Sequence, residues 1–138
     1  MTASTAAFRA ATFLALAGMA LGLYMAASKD HSLSTAHAHL ILLGWVSLFL
    51  FGLFHRLDPV RDASRAAKIQ IGVSAAGAVA LSIGVGLLHR GVGAGEGLAV
   101  AGALASIAGM THFAAMVMGS GREGPQKAKT VAEQVQRR

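Results

Sequence analysis

The sequence contains no cysteine, only two prolines and few charged residues. Because cysteine is absent, disulfide bonds, thiolate metal sites and thiol nucleophiles are excluded. Charged side chains make up 13% of the 138 residues, whereas soluble domains carry about 25%. The chain also lacks a nucleophile elbow, a phosphate-binding loop and an HExxH motif. These absences argue against a soluble enzyme, and no independent catalytic activity is expected.

The sequence is instead mostly apolar: hydrophobic residues make up 54% of it, and 17 residues are glycine. A helix needs about 20 mostly apolar residues to cross a bilayer. Four segments meet this requirement, at 8–27, 36–57, 69–88 and 98–118. Short connections make consecutive helices antiparallel neighbours. The sequence therefore predicts an all-α, up-down four-helix bundle integral to the membrane over residues 1–118, followed by a basic cytoplasmic tail at 119–138.

The first apolar segment has a second interpretation, as a signal peptide. Arg9 lies near its start, and the small residues of YMAASKD follow it, which resembles a cleavage site. Cleavage there would leave a chain that begins near Ser28 and has three helices. The segment also contains Gly18 and Gly22 in a GxxxG spacing, which lets membrane helices approach closely. Both interpretations stay open at the level of the sequence.

The basic residues predict how the helices are oriented. The second loop holds Arg56, Arg61, Arg65 and Lys68, and the tail holds Arg122, Lys127, Lys129, Arg137 and Arg138. The first and third loops hold one each, Lys29 and Arg90. Because cytoplasmic loops are enriched in Lys and Arg, both termini and the second loop are predicted to be cytoplasmic, in a bacterial inner membrane. Contact with anionic lipid headgroups explains the net charge of +6, so nucleic acid is not an expected partner.

Six histidines are the residues most suited to chemistry. In the predicted orientation an outer cluster comprises His31, His37, His39 and His89, and an inner pair comprises His55 and His112. At 100° per residue, His37 shares a line of the second helix with Gly44 and should face the bundle. His39 points almost the opposite way, with leucines, and is expected to meet headgroups. His112 shares a face with the small residues of the fourth helix and is also expected to point inward.

Imidazoles in this arrangement suit haem or metal binding. Haem b takes one or two axial histidines, for which His37 or His39 with His89 is the predicted set and His37 the favoured ligand. His55 with His112 is the inner candidate. Copper or zinc could alternatively use His37 and His39, with His89 and His31. Each histidine also fits an interfacial or packed residue without a ligand role.

The stretch AHAHLILLGWVSLFLFGLFHRLDP resembles small four-helix bacterial membrane proteins that are similar to haem-copper oxidase subunit I. The resemblance implies that His37 or His39 is a haem ligand near the outer surface. It does not extend to oxygen reduction, because the chain has no adjacent histidine pair and no suitably placed tyrosine. Gln70 stands near a position where the small family would have a histidine, which weakens the case for an inner metal site.

These observations predict a small haem- or metal-binding membrane protein associated with respiratory electron transfer. Two alternatives stay open. One is a cofactor-free accessory or structural subunit of a membrane complex, and the other is an outward-facing copper or zinc binder. The expected partners are the lipid bilayer and either other membrane subunits or further copies of the chain. No acidic residue lies within the four apolar segments, so no carboxylate proton path or transport site is predicted.

Overall fold

The structure, a computed structural model, describes the backbone of residues 1–136 and the side chains of residues 1–119. Four of its helices are long and apolar enough to cross a membrane, and they are called the first to fourth spans: Ala3–Ser28, Ser34–Arg56, Arg65–His89 and Ala94–Gly119. The prediction of an all-α, multi-pass membrane bundle is confirmed. The terms outer end and inner end follow the predicted orientation: His39 and His89 lie at the outer end, and His55 and Asp62 at the inner end.

The helix of the fourth span continues past the predicted boundary of the tail and runs over Ala94–Gln136. The tail at 119–138 therefore does not begin at a helix end. Its basic side chains, from Arg122 onward, lie outside the described residues.

Local capping fixes where the helices at the inner end begin. The Thr2 hydroxyl accepts a hydrogen bond from the amide of Thr5 at the start of the first span. The Ser64 hydroxyl does the same for Ala67 at the start of the third span, at 3.1 Å. Between the second and third spans lies a short helix, Pro59–Ala63, which Asp58 caps. Side chains of this kind satisfy amide donors that have no partner within the helix.

The second span is not a uniform α-helix. Its middle, Leu40–Ser47, is π-helical, with α-helix before it and after it. The Ser47 hydroxyl donates to the carbonyl of Leu42, five residues back, at 2.9 Å. Hydrogen bonds in a π-helix span one residue more than in an α-helix, so the phase of the helix shifts. As a result two glycines that are eight positions apart both face the first span. Gly44 lies against Leu14, and Gly52 lies against Ala7 and Phe8.

The core lies where the first three spans meet toward the inner end. Half of it comes from the first span. Its members are Ala3, Ala7, Ala11, Leu14, Leu48, Phe51, Ala67 and Ile71. A chain cleaved near Ser28 would lose this half, which favours the interpretation of the first segment as a structural span.

The fourth span packs almost entirely against the third. Glycines hold the two backbones together: Gly77 faces Ser106, and Gly102 faces Leu81. A Cβ atom on Gly77 would lie 2.7 Å from the Ser106 amide nitrogen, so a side chain there would push the backbones apart. Small residues at such crossings are the usual means of tight helix packing in membranes.

Large apolar side chains cover the outside of the bundle. Residues at least 47% exposed include Phe13, Leu42, Ile83, Leu104 and Ile107, which come from all four spans. So much exposed apolar surface is unusual in a water-soluble protein. Contact with the hydrocarbon of a lipid bilayer accounts for it.

Candidate functional site

His37 turns toward the first span, as its position in line with Gly44 predicts. Its Nδ1 atom lies 3.0 Å from the carbonyl oxygen of Gly18, and the ring packs over Gly22. A carbonyl oxygen only accepts hydrogen bonds, so the proton of a neutral ring is assigned to Nδ1 and Nε2 keeps its lone pair. The GxxxG spacing of the first span therefore makes room for a histidine.

His39 takes the same tautomer by a different contact. Its Nδ1 atom lies 2.8 Å from the carbonyl oxygen of Thr35, one turn earlier in the same helix. The ring lines a cleft between the second and fourth spans. The expectation that His39 meets lipid headgroups stays a prediction. Leu43, one of the leucines expected on its side, lines the same cleft.

The cleft has a volume of about 490 Å³, within the roughly 300–1,000 Å³ typical of ligand pockets. Its walls are apolar except for His39 and Ser106. The full lining is Ala38, His39, Leu42, Leu43, Leu81, Ala103, Ser106, Ile107 and Met110. Toward the inner end the side chains of the two spans meet, where the rings of Phe51 and Phe113 lie 4.3 Å apart between centroids and are tilted by 38°. His39 lies at the outer end of the cleft.

His89 and His31 lie apart from this cleft. His89 is exposed at the end of the third span, and its Nδ1 atom lies 2.9 Å from the carbonyl oxygen of Val85. His31 is exposed in the first loop. Among residues 1–119 no group of three or more His, Asp or Glu side chains is placed to hold a metal ion. The predicted combination of His37, His39 and His89 around one copper or zinc ion is therefore not assembled.

At the inner end His55 is paired, but not with His112. Its Nε2 atom lies 3.1 Å from Oε1 of Gln70, and both side chains are fully buried. The amide nitrogen of Gln70 donates to Ser74 and to the carbonyl of Gly109, so Oε1 is the acceptor and His55 donates from Nε2. This tautomer is the reverse of that at the outer end.

His112 is half-buried on the fourth span. The fourth-span ring that packs against His55 belongs to its neighbour Phe113, edge-on at 6.4 Å between centroids. The predicted inner site of His55 with His112 is thus replaced by a hydrogen-bonded pair of His55 with Gln70. The sequence does contain a clue to this pair, because Gln70 is a polar residue in an otherwise apolar segment. The second and third spans are successive and antiparallel, which places residues 55 and 70 at similar depth.

A second polar contact at the inner end was missed from the sequence. Asp62, in the short loop helix, is buried and accepts hydrogen bonds from the amide and the hydroxyl of Ser4, both at 2.6 Å. Burial raises the pKa of Asp62, but hydrogen bonds from Ser4 and Thr2 lower it more, so that its pKa lies below the ordinary value. The contact ties the second loop to the start of the first span.

No protein-family model matches this chain, and no curated protein or solved structure is similar enough to it to give a match. The resemblance of residues 36–59 to haem-copper oxidase subunit I therefore stays a prediction. Any assignment of function depends on the chemistry of the side chains described above.

Proposed function

We propose that this protein is a small haem-binding membrane protein of bacterial respiratory electron transfer, without oxygen-reducing chemistry. The haem, most simply haem b, would lie in the cleft between the second and fourth spans, with His39 as its axial ligand. The observation that carries the proposal is that a histidine with an unprotonated Nε2 atom lines an apolar cleft of about 490 Å³. In this proposal His39 replaces His37, which the sequence favoured.

Ligand number separates haem from a simple metal ion. Zinc and copper sites in proteins are built from several side chains, and residues 1–119 offer no group of three. Haem iron needs one or two protein ligands. The hydrogen bond from Nδ1 of His39 to the Thr35 carbonyl supports a ligand role, because histidines that bind metals usually donate their other ring proton in this way.

The surroundings of His39 support a flat, apolar ligand. Ala38 and Ala103 leave space beside the ring, while Leu42 and Leu81 supply apolar walls. Haem also carries two propionate groups, which need cations or water. Lys29 and Arg90 follow the first and third spans at the same end of the bundle. This proposal includes the orientation predicted from the loops, with the outer end in the periplasm and both termini in the cytoplasm of a bacterial inner membrane.

The test is the absorption spectrum of the full-length protein, expressed with adequate haem supply and purified in detergent, in the oxidised and reduced states. We expect a Soret band in the wild type that is lost or strongly shifted in His39→Ala. His89→Ala is the matched control, since His89 makes the same hydrogen bond to its own helix but lies outside the cleft; it should keep the wild-type spectrum.

Two outcomes would contradict the proposal. A His39→Ala protein with wild-type haem content would remove His39 as the ligand and direct attention to His37, whose Nε2 atom is also unprotonated. A wild-type protein that binds no haem after reconstitution would favour a cofactor-free accessory subunit. In that case a helix of a partner subunit would fill the cleft. Copper or zinc found by elemental analysis of haem-free protein would favour the metal binder.

A further inference from the structure

Three serines from three different spans meet around a small cavity. Ser47 comes from the second span, Ser74 from the third and Ser106 from the fourth; Leu43, Phe51 and Met110 complete the lining. The cavity has a volume of about 20 Å³. A single water molecule needs roughly 10–15 Å³ of such volume, together with two to four polar partners. The cavity is therefore the size of one water molecule.

The hydroxyl of Ser106, beside this cavity, lacks a hydrogen-bond partner among the described residues. Its Oγ atom is also buried. Such an atom is costly away from water, and buried hydroxyls in native proteins almost always have a partner. An unpaired hydroxyl beside a cavity of this size indicates a bound water molecule.

The other two serines supply complementary groups. The Ser47 hydroxyl donates its proton to the Leu42 carbonyl at 2.9 Å, so its oxygen has lone pairs left to accept. The Ser74 oxygen accepts from the Gln70 amide at 3.2 Å, so its own proton is left to donate. A water molecule that accepts from Ser74 and Ser106 and donates to Ser47 would give each hydroxyl the partner it lacks.

We propose that this cavity is a binding site for one structural water molecule, held by Ser47, Ser74 and Ser106. The water extends the chain of hydrogen bonds that runs from His55 through Gln70 to Ser74. It thereby joins the fourth span to the second and third by polar contacts within the membrane. Leu43, Ser106 and Met110 also line the neighbouring cleft.

The sign of one stability change tests the proposal. If water pairs with Ser106, removing its hydroxyl in Ser106→Ala should lower the apparent unfolding midpoint in detergent by roughly 3–5 °C. If the hydroxyl is unpaired in the native protein, the same substitution should raise the midpoint, because a costly buried group is removed. A raised or unchanged midpoint would overturn the proposal.

A double-mutant cycle gives a second readout. The structure has no direct hydrogen bond between the described side chains of Ser74 and Ser106. A water molecule that bridges them would couple the effects of Ser74→Ala and Ser106→Ala. We expect the double variant to lose less than the sum of the single losses. Ser82→Ala is the matched control, because Ser82 is buried on the third span like Ser74 but its hydroxyl donates to the Ala78 carbonyl of its own helix at 2.7 Å. The stability losses of Ser82→Ala and Ser106→Ala should be additive.

A high-resolution crystal structure of the wild type grown from lipid provides a direct check that does not depend on the variants folding. The expected result is a density peak within about 2.7–3.2 Å of the hydroxyl oxygens of Ser74 and Ser106. An empty cavity in such a map, or additive losses in the Ser74 and Ser106 cycle, would rule out the water site.

Discussion

His55 and Gln70 form a hydrogen bond 3.1 Å long between two successive spans, and neither side chain is exposed. The direction of this hydrogen bond is fixed. The Gln70 amide nitrogen donates to Ser74 and to the Gly109 carbonyl, so the Gln70 amide oxygen accepts the proton from Nε2 of His55. A polar pair inside a membrane bundle fixes the relative depth of the two helices, because sliding either helix would leave both groups without partners.

Replacing Gln70 should therefore leave the buried imidazole of His55 without its hydrogen-bond acceptor. We expect Gln70→Leu to destabilise the protein by about 1–3 kcal/mol, because the buried Nε2–H group of His55 loses its acceptor. The measurement is unfolding in mixed detergent. The double variant His55→Phe/Gln70→Leu should lose less than the two single losses together. Additive losses would mean that the two side chains do not interact in the folded protein.

The buried carboxylate of Asp62 predicts a dependence of stability on pH. Its pKa in the folded protein lies below the ordinary value of 3.8. Folding therefore stabilises the ionised carboxylate relative to the protonated carboxyl group. This contribution is present in full above the unfolded pKa and is lost as the pH falls below 3.8 through the folded pKa.

We therefore expect Asp62→Asn to be less stable than the wild type at pH 7, by roughly 2 kcal/mol for weakened bonds to Ser4, and to lose less stability on acidification. Unfolding midpoints between pH 7 and pH 3 provide the measurement. Asp30→Asn is the control, because a hydrogen bond from the Ser32 amide lowers the pKa of Asp30 too but the side chain is exposed and solvated. Equal pH profiles for the wild type and Asp62→Asn would contradict the prediction.

The glycine contacts between the third and fourth spans predict opposite effects for the same substitution. In Gly102→Ala the new Cβ atom would lie 2.7 Å from Cα of Leu81, and overpacking of this kind costs about 1–3 kcal/mol. Gly72 has no atom within 4 Å of such a position, so Gly72→Ala should be neutral or stabilising by up to about 1 kcal/mol through helix propensity. Comparing the detergent resistance of the two variants checks the prediction, and equal effects would contradict it.

The orientation in the membrane is tested by labelling single cysteines in a chain that has none of its own. Ser32 and Ala63 lie in the first and second loops and are both exposed. We expect Ser32→Cys to react with an impermeant thiol reagent added to intact cells and Ala63→Cys to react only after the membrane is opened. The reverse pattern would invert the topology and place His39 toward the cytoplasm.

The sequence predicted the four spans well, because a run of apolar residues long enough for a bilayer is a strong signal that depends little on tertiary contacts. The direction of His37 also followed from helical phase, since it lies before the π-helical segment. Past that segment the phase is shifted by the wider turn, and Phe51, which a regular helix would place in line with Gly44, instead meets Phe113 of the fourth span.

The polar contacts were harder to predict than the spans. The pairing of Asp62 with Ser4 joins residues 58 positions apart, and no local pattern indicates it. The role proposed for His39 depends on a cleft, and a cleft is a property of how two helices pack together rather than of either sequence. His55 and Gln70 lie only 15 residues apart, yet their pairing depends on the depth and rotation of two helices, which the loop between them sets.

The cleft between the second and fourth spans has His39 in its lining, while Phe113 contacts Phe51 nearer the inner end. The walls of the cleft are apolar except for His39 and Ser106, so in a bilayer lipid acyl chains can enter it. A ligand that binds beside His39 would therefore have to displace lipid rather than water.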